Sequence, residues 1–430
     1  MMRRSMLALK QRGAGSLIVV VSIFLVLSLI YLYLNRSLIF EQRAAANHVR
    51  SVIASEAAEA GVQWALGMLN NPTFINNACT STGTNTQAFR TLYTPISGAL
   101  PNAQPACLLG AGSLTCSCPA SGLGTLNNAA GQSSFAVSFS RNAQDTSNET
   151  ITITSYGCTA PVGAGMAHCS SAALSSANFD ATAVVVVDVK LRRLLRTGPA
   201  APLTCGSSCN VSGSFDIINQ SPATNGILVN AGTSIAIGNG ATLRSIPGLP
   251  PENALVSNDV SLSRLSGSDS TCNNSAVFNA FFGTTIQSYA SAPTTRTINC
   301  TNASNCGSQT LAAYSQGFRA FFFPDGVSFN NSSGFPSGSL GTLTDPVTIV
   351  TPDEFNINGN VVINGVIFSN NANTNDLGTG TADINGAIIT CAGYNNNGSG
   401  TLRFVDQVIE GSQRAGALMV KVPGSWRDFL

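Results

Sequence analysis

Charge is scarce in this chain. Of its 430 residues only 10% are Asp, Glu, Lys or Arg, against about 25% in an average globular protein. The net charge is +1, so no global field recruits nucleic acid, and none is expected as a partner. Histidine is nearly absent: His48 and His168 are the two. So few give little support to a His-based metal centre or a Ser-His-Asp triad. No GxxxxGK[ST], complete GxGxxG, HExxH, GxSxG or DxDxDG string occurs. Sequence support for nucleotide binding, zinc proteolysis, serine hydrolysis and EF-hand calcium binding is therefore missing. No enzyme activity and no cofactor is expected. Low charge with a hydrophobic fraction of 44% also argues against disorder.

Cysteine is plentiful by contrast, and even in number: Cys79, Cys107, Cys116, Cys118, Cys158, Cys169, Cys205, Cys209, Cys272, Cys300, Cys306 and Cys391. All follow the apolar N-terminal segment. Cys158 with Cys169, Cys205 with Cys209, and Cys300 with Cys306 are spaced as short loops. That pattern reads as disulfide staples in an oxidising compartment. A metal site is the weaker reading, because no CxxC occurs and the one CxC, Cys116 and Cys118, has no His partner. Spacing alone leaves the connectivity open.

The N-terminus carries Arg3, Arg4, Lys10 and Arg12 with no acid, followed by an uncharged run from Gly13 to Asn35. That run is long enough to cross roughly 30 Å of hydrocarbon as a helix. The positive end stays cytoplasmic. It is too long for a usual signal-peptide core and has no A-x-A site. From Arg36 to Asn70 the chain continues without Pro, rich in Ala, Glu, Gln and Arg. Apolar residues recur at helical spacing, among them Ile39, Phe40, Val49, Val52, Ile53, Val62, Trp64 and Leu66. Asn70-Asn71-Pro72 is a stop signal. The pattern predicts one helix over 14–70, its half 14–35 transmembrane and its second half amphipathic.

A basic leader ending in glycine, with an apolar helix directly after it, resembles the type IV prepilin class. Gln11-Arg12-Gly13-Ala14, Glu41-Gln42-Arg43, Asn47 and Glu56-Ala57-Ala58-Glu59-Ala60-Gly61 resemble the N-terminal region of PilX-like minor pilins. The resemblance implies that residues 1–13 are a leader. A prepilin peptidase would cut between Gly13 and Ala14 and methylate the new N-terminus. It also implies an assembly helix carrying Ile18, Glu41, Arg43, Asn47, Glu56 and Glu59. Ile18 is a departure, since most pilins have a glutamate at that fifth mature position. The family's glutamate pairs with the neighbouring subunit's amine, and an unpaired carboxylate in lipid is costly. The K pseudopilin of type II secretion, a tip subunit, similarly lacks it. A place at or near the tip follows as an expectation, beside the plainer reading of Ile18 as a membrane-facing side chain. Glu41, Glu56 and Glu59 read as a solvated or subunit-packing face.

Residues 71–198 are expected to form a disulfide-stapled α+β head, with loops over 71–130. Phe135–Ser140, Thr150–Tyr156 and Ala181–Leu191 are strand candidates in an antiparallel meander under the helix. Residues 197–204 read as a linker. Residues 199–430 are expected to be β-rich, with an insertion at about 262–340. Ile-Asn-Gly recurs at 357–359, 363–365 and 384–386, each followed by an apolar run. An irregular β-helix is the favoured reading, with tight hairpins as the other. Ser275–Phe282 reads as a short helix and Phe318–Phe323 as a buried strand. β-Helices can host carbohydrate-active enzymes, and Asp353, Glu354, Asp376 and Asp383 are the local acids; turn-forming roles explain them, and no ligand spacing among them supports Ca²⁺.

The expectation is a minor pilin of a Gram-negative type IV pilus, with an inner-membrane location before assembly and an extracellular one afterwards. Implied partners are other minor pilins, the major pilin, the inner-membrane assembly platform and a large tip adhesin. The implied roles are priming of assembly and support of adhesion or twitching motility. A type II secretion tip pseudopilin and a membrane-anchored carbohydrate-active β-helix enzyme are the alternatives.

Overall fold

The computed structural model describes residues 14–81, 87–110, 112–124, 126, 132–159, 169, 181–266, 276–300, 306–329, 335, 338–357, 359–369, 381–396 and 398–428. The chain is α+β, with a long N-terminal apolar helix and a β-rich C-terminal region. Helix α1, Ala14–Leu69, is unbroken and about 84 Å long at 1.5 Å per residue. No proline interrupts it before Pro72, and Asn71 Oδ1 accepts from the Thr73 N–H at 3.0 Å just past its end. Residues 15–53 are exposed, apart from the half-buried Ser28. Ala54, Ala57, Ala58, Val62, Ala65 and Leu69 form the buried stripe. The amphipathic reading therefore holds for the last four turns, whereas Ile39, Phe40, Val49, Val52 and Ile53 remain exposed. They face outward because the sheet reaches only the end of the helix.

That sheet is built after a short helix α2, Phe89–Tyr93. Its strands are β2, Ala106–Leu109; β3, Leu114–Ser117; β5, Ser133–Arg141; β6, Thr150–Cys158; and β7, Thr182–Arg192. Two two-residue strands, β1 at Ala103–Gln104 and β4 at Gly122–Leu123, pair with each other in parallel. Neighbouring strands of the sheet are antiparallel, as in a meander. Small residues let the helix lie close to it. A Cβ on Gly157 of β6 would fall 2.1 Å from the Ala54 carbonyl oxygen, and one on Gly61 of α1 would fall 2.1 Å from Ser155 Oγ. Trp64 meets Phe89 edge-on, with ring centroids 5.4 Å apart. Burial pushes the Tyr93 phenol well above its ordinary pKa; its hydroxyl donates to the Pro119 carbonyl.

Past Gly198 the pairing changes character. Strands β8, Leu203–Cys205; β9, Cys209–Val211; and β10, Phe215–Ile218, are followed by β11, Val229–Ala231; β12, Ile235–Ile237; and β13, Thr242–Arg244. Leu203 pairs with Val229, Cys209 with Ile235 and Asp216 with Thr242, a constant offset of 26 residues, all in parallel. β14, Leu255–Val256, adds to β11. The chain then forms helices α3, Val260–Ser266; α4, Ala276–Phe282; and α5, Ile286–Ala290. It re-enters the same sheet at the opposite end with β15, Thr295–Thr297.

After α6, Cys306–Ser315, come β16, Ala320–Phe322; β17, Val327–Phe329; β18, Ser339–Leu340; β19, Val347–Thr351; β20, Phe355–Ile357; and β21, Val362–Ser369. Last are β22, Ala382–Thr390; β23, Tyr394–Asn396; and β24, Gly400–Arg403. The spatial order β14-β11-β8-β22-β21-β19-β16-β15 places the late strand β22 against the early strand β8. Among the described residues, every strand pairing within 203–403 is parallel. Tight hairpins are thus not what the Asn-Gly steps make there. The segment 262–340 is helical in part, yet β15 and β16 within it belong to the same sheet.

Alternate residues explain the continuous apolar runs. Ile349, Ile367 and Ile388 point into the interior with Phe215 and Phe321. Their neighbours Val350, Phe368 and Ile389 pack outward under Phe278, Phe282 and Tyr289 of α4 and α5. Strands buried on both faces lose the polar alternation that one solvated face would impose. Two Ile-Asn-Gly triplets lie directly on one another, Ile363 on Ile384, Asn364 on Asn385 and Gly365 on Gly386. Asn385 Nδ2 donates to Asn364 Oδ1 at 3.0 Å. The third, at 357–359, includes residue 358, which is outside the described residues.

Helix α7, Asp406–Arg414, packs over β21 and β22. The chain then leaves the parallel stack. Strand β25, Leu418–Lys421, pairs antiparallel with β7 and becomes the edge of the first sheet, in the order β25-β7-β6-β5-β2-β3. Asn70, at the end of α1, donates to the Met419 carbonyl at 2.9 Å and accepts from its N–H at 2.7 Å.

Candidate assembly helix and its head

Gly13 lies outside the described residues, and Ala14 opens α1. Ile18, Glu41, Arg43, Asn47, Glu56 and Glu59 all lie on this helix and are exposed. They are strung along it from residue 18 to residue 59 and do not converge on a pocket. Glu56 and Glu59 flank the buried pair Ala57 and Ala58 where the helix meets the sheet. Among the described residues α1 is the one helix long and apolar enough to cross a membrane, and no part of its apolar window is buried in the protein. What such an element can do chemically is bury its surface against lipid or against other helices. The outward side chains Leu17, Ile18, Phe24, Leu27, Tyr31 and Phe40 supply that surface.

Among the described residues every cysteine is paired. Cys79 is bonded to Cys118, Cys107 to Cys116, Cys158 to Cys169, Cys205 to Cys209 and Cys300 to Cys306. Cys391 is also disulfide-bonded. Cys107–Cys116 joins β2 to β3 across one register pair, and Cys205–Cys209 closes the bend between β8 and β9.

Asp353 and Glu354 sit in the bend between β19 and β20 rather than on a strand, and the Glu354 N–H donates to Asp353 Oδ1 at 2.9 Å. Asp383 is exposed on β22, and Asp376 is outside the described residues. No three His, Cys, Asp or Glu side chains gather as a metal cluster among those described. Asp145 is held well below the usual carboxylate range by hydrogen bonds from Ser147 and Thr150, which fold the turn between β5 and β6. That is a turn-forming role. The chain end is tied by its backbone: Arg427 and Val186 exchange N–H and carbonyl at 2.8 and 2.9 Å, while Trp426 stays exposed. Sequence reasoning did not find the Asn70 clamp or the return of β25. A polar residue at a helix end reads equally well as a stop signal.

No protein-family model matches the chain, and no curated protein does. Among solved structures the chain is similar to the crystal structure of the competence-associated pilin ComZ from Thermus thermophilus. The two share 11% identity, and the match covers 89% of this chain and 97% of that one at a TM-score of 0.19.

Proposed function

We propose that this protein is a pilin-like subunit of a type IV filament, and within that class a PilX-like minor pilin. The observation that carries this reading is α1 itself. It is a single 56-residue helix whose apolar first half is exposed and whose last turns alone are bound to a sheet. A helix of this kind waits in the inner membrane with its basic end in the cytoplasm. It is then withdrawn into a filament, exchanging lipid contacts for helix–helix contacts at little net loss of apolar burial. The partners would be other minor pilins, the major pilin and the inner-membrane assembly platform.

A position at or near the tip is part of the proposal, as is the carriage of a large adhesin there. Ile18 stands where the family's glutamate would reach a subunit ahead. The parallel stack, which we read as an irregular β-helix, adds bulk beside the helix that repeated lateral packing would not tolerate. Its strand-rich make-up favours this reading over the type II secretion tip pseudopilin, whose inserted domain is mainly helical. We assign no catalytic role.

Mass spectrometry of the mature N-terminus, with and without a co-expressed prepilin peptidase, tests the proposal. A peptide beginning at N-methylated Ala14, seen only with the peptidase, is the expected outcome. A leader intact through Gly13 in both samples would overturn it.

A further inference from the structure

A cavity of about 520 Å³ lies at the junction of the antiparallel sheet and the parallel stack, within the range of sites that hold small molecules. Its walls come from both parts of the molecule: the end of α1, α2, β6, β7, the bends at 317–319 and 344–346, and the end of α7. Five charged side chains line it: Arg90, Glu149, Arg319, Asp345 and Arg414. Both carboxylates are already committed. Glu149 pairs with Arg193, and Asp345 pairs with Arg319 at 2.7 Å. Arg90 is left with a single side-chain partner, the Ala417 carbonyl, and Arg414 Nε is buried with no acceptor. Among the described residues neither arginine has a carboxylate. Arg90 is half-buried, and desolvation lowers its pKa to about 10, so it is charged at neutral pH.

Two guanidiniums at one cavity, whose two carboxylates are each paired with another arginine, are costly to hold there. Each has fork geometry suited to an oxyanion. Arg90 reaches the turn that follows Arg414: the Ala417 carbonyl accepts from the Arg90 guanidinium, and the Ala417 N–H donates to the Arg414 carbonyl. Phe74, Ile96, Ile151 and Met419 supply apolar wall beside them. We propose that this junction is a binding site for a small oxyanion, a carboxylate or phosphate carried on an apolar body, held by Arg90 and Arg414. Occupancy would tie the two parts of the molecule together across the cavity. The inference does not rest on the filament reading, because an unprocessed chain would bind equally well.

The test is calorimetric titration of the full-length, disulfide-intact chain in detergent with benzoate and with inorganic phosphate, each against chloride at matched ionic strength. Saturable binding of at least one probe is expected, and Arg414→Gln weakens it about tenfold or more. Arg244→Gln, which removes an ion pair to Asp216 away from the cavity walls, leaves it unchanged. Preference for benzoate assigns a carboxylate ligand and preference for phosphate a phosphate ligand. Because Arg90→Gln risks misfolding, Arg414 is probed a second way, by protection from phenylglyoxal when the anion is present. Absence of saturable binding by both probes, or equal binding by the Arg414→Gln variant, would overturn the proposal.

Discussion

Gly157 shows how closely α1 is set on its sheet. The two backbone atoms nearest a Cβ there, the Ala54 oxygen at 2.1 Å and the Ala58 nitrogen at 2.4 Å, cannot rotate aside as a side chain could. Gly157→Ala therefore lifts the helix, and its cost is expected at about 1–3 kcal/mol by urea unfolding. Gly67 is the internal control. It lies on the same helix with nothing within 4 Å of its Cβ position, so Gly67→Ala is expected to stabilise by up to about 1 kcal/mol through helix propensity. Equal effects at the two positions would refute the close packing. Gly386 makes the same point in the stack. It has φ +143°, and a Cβ would lie 1.9 Å from the Gly365 carbonyl oxygen, so the Ile-Asn-Gly triplets need their third residue for the strands to stack.

At the scale of elements, the disulfides close loops of very different length. Cys79–Cys118 spans 39 residues, whereas Cys205–Cys209 spans 4. Loop-closure entropy grows with the logarithm of loop length, so replacing both cysteines of the first pair by Ser is expected to cost about 4 kcal/mol and of the second about 2 kcal/mol. Thermal unfolding of the two double variants checks the order. The reverse order would show that strand register, not chain entropy, governs the difference. The short strands β1 to β4 around Cys79–Cys118 make the larger effect reasonable, because they contribute few ladder hydrogen bonds to replace it.

For the whole molecule, the decisive feature is the division of α1. Its exposed length, 15–53, gives nothing to the packing of the head, so a chain beginning at residue 51 keeps the stripe from Ala54 to Leu69. That chain is expected to be soluble and to melt within about 2 °C of the full-length protein, a difference below ~1 kcal/mol for a molecule of this size. A large loss of melting temperature would mean that the apolar half stabilises the head. β25 is a second connection between the parallel stack and the first sheet, besides the passage from β7 into β8, whose residues 201–204 are buried and in part strand rather than an exposed linker. It runs from the stack back to β7 and is held at Met419 by Asn70.

Local signals were enough for the long helix, because a run without proline and a stop at Asn70-Asn71-Pro72 act within one segment. The three central strands of the head were legible for the same reason. Thr150–Tyr156 and Ala181–Leu191 alternate or branch at Cβ, which marks a pleated, half-buried surface. The Ile-Asn-Gly triplets signalled repetition, but the choice between hairpins and parallel stacking was not contained in them. An Asn-Gly step serves either, and only the neighbouring strand decides. What the tertiary structure alone settled is non-local. β22 lies on β8 across 185 residues, Ile388 on Leu203. β25 completes a sheet begun far earlier in the chain, at β2, and Arg90 reaches the Ala417 carbonyl. No segment encodes such meetings by itself, because they arise only when distant apolar faces are buried together.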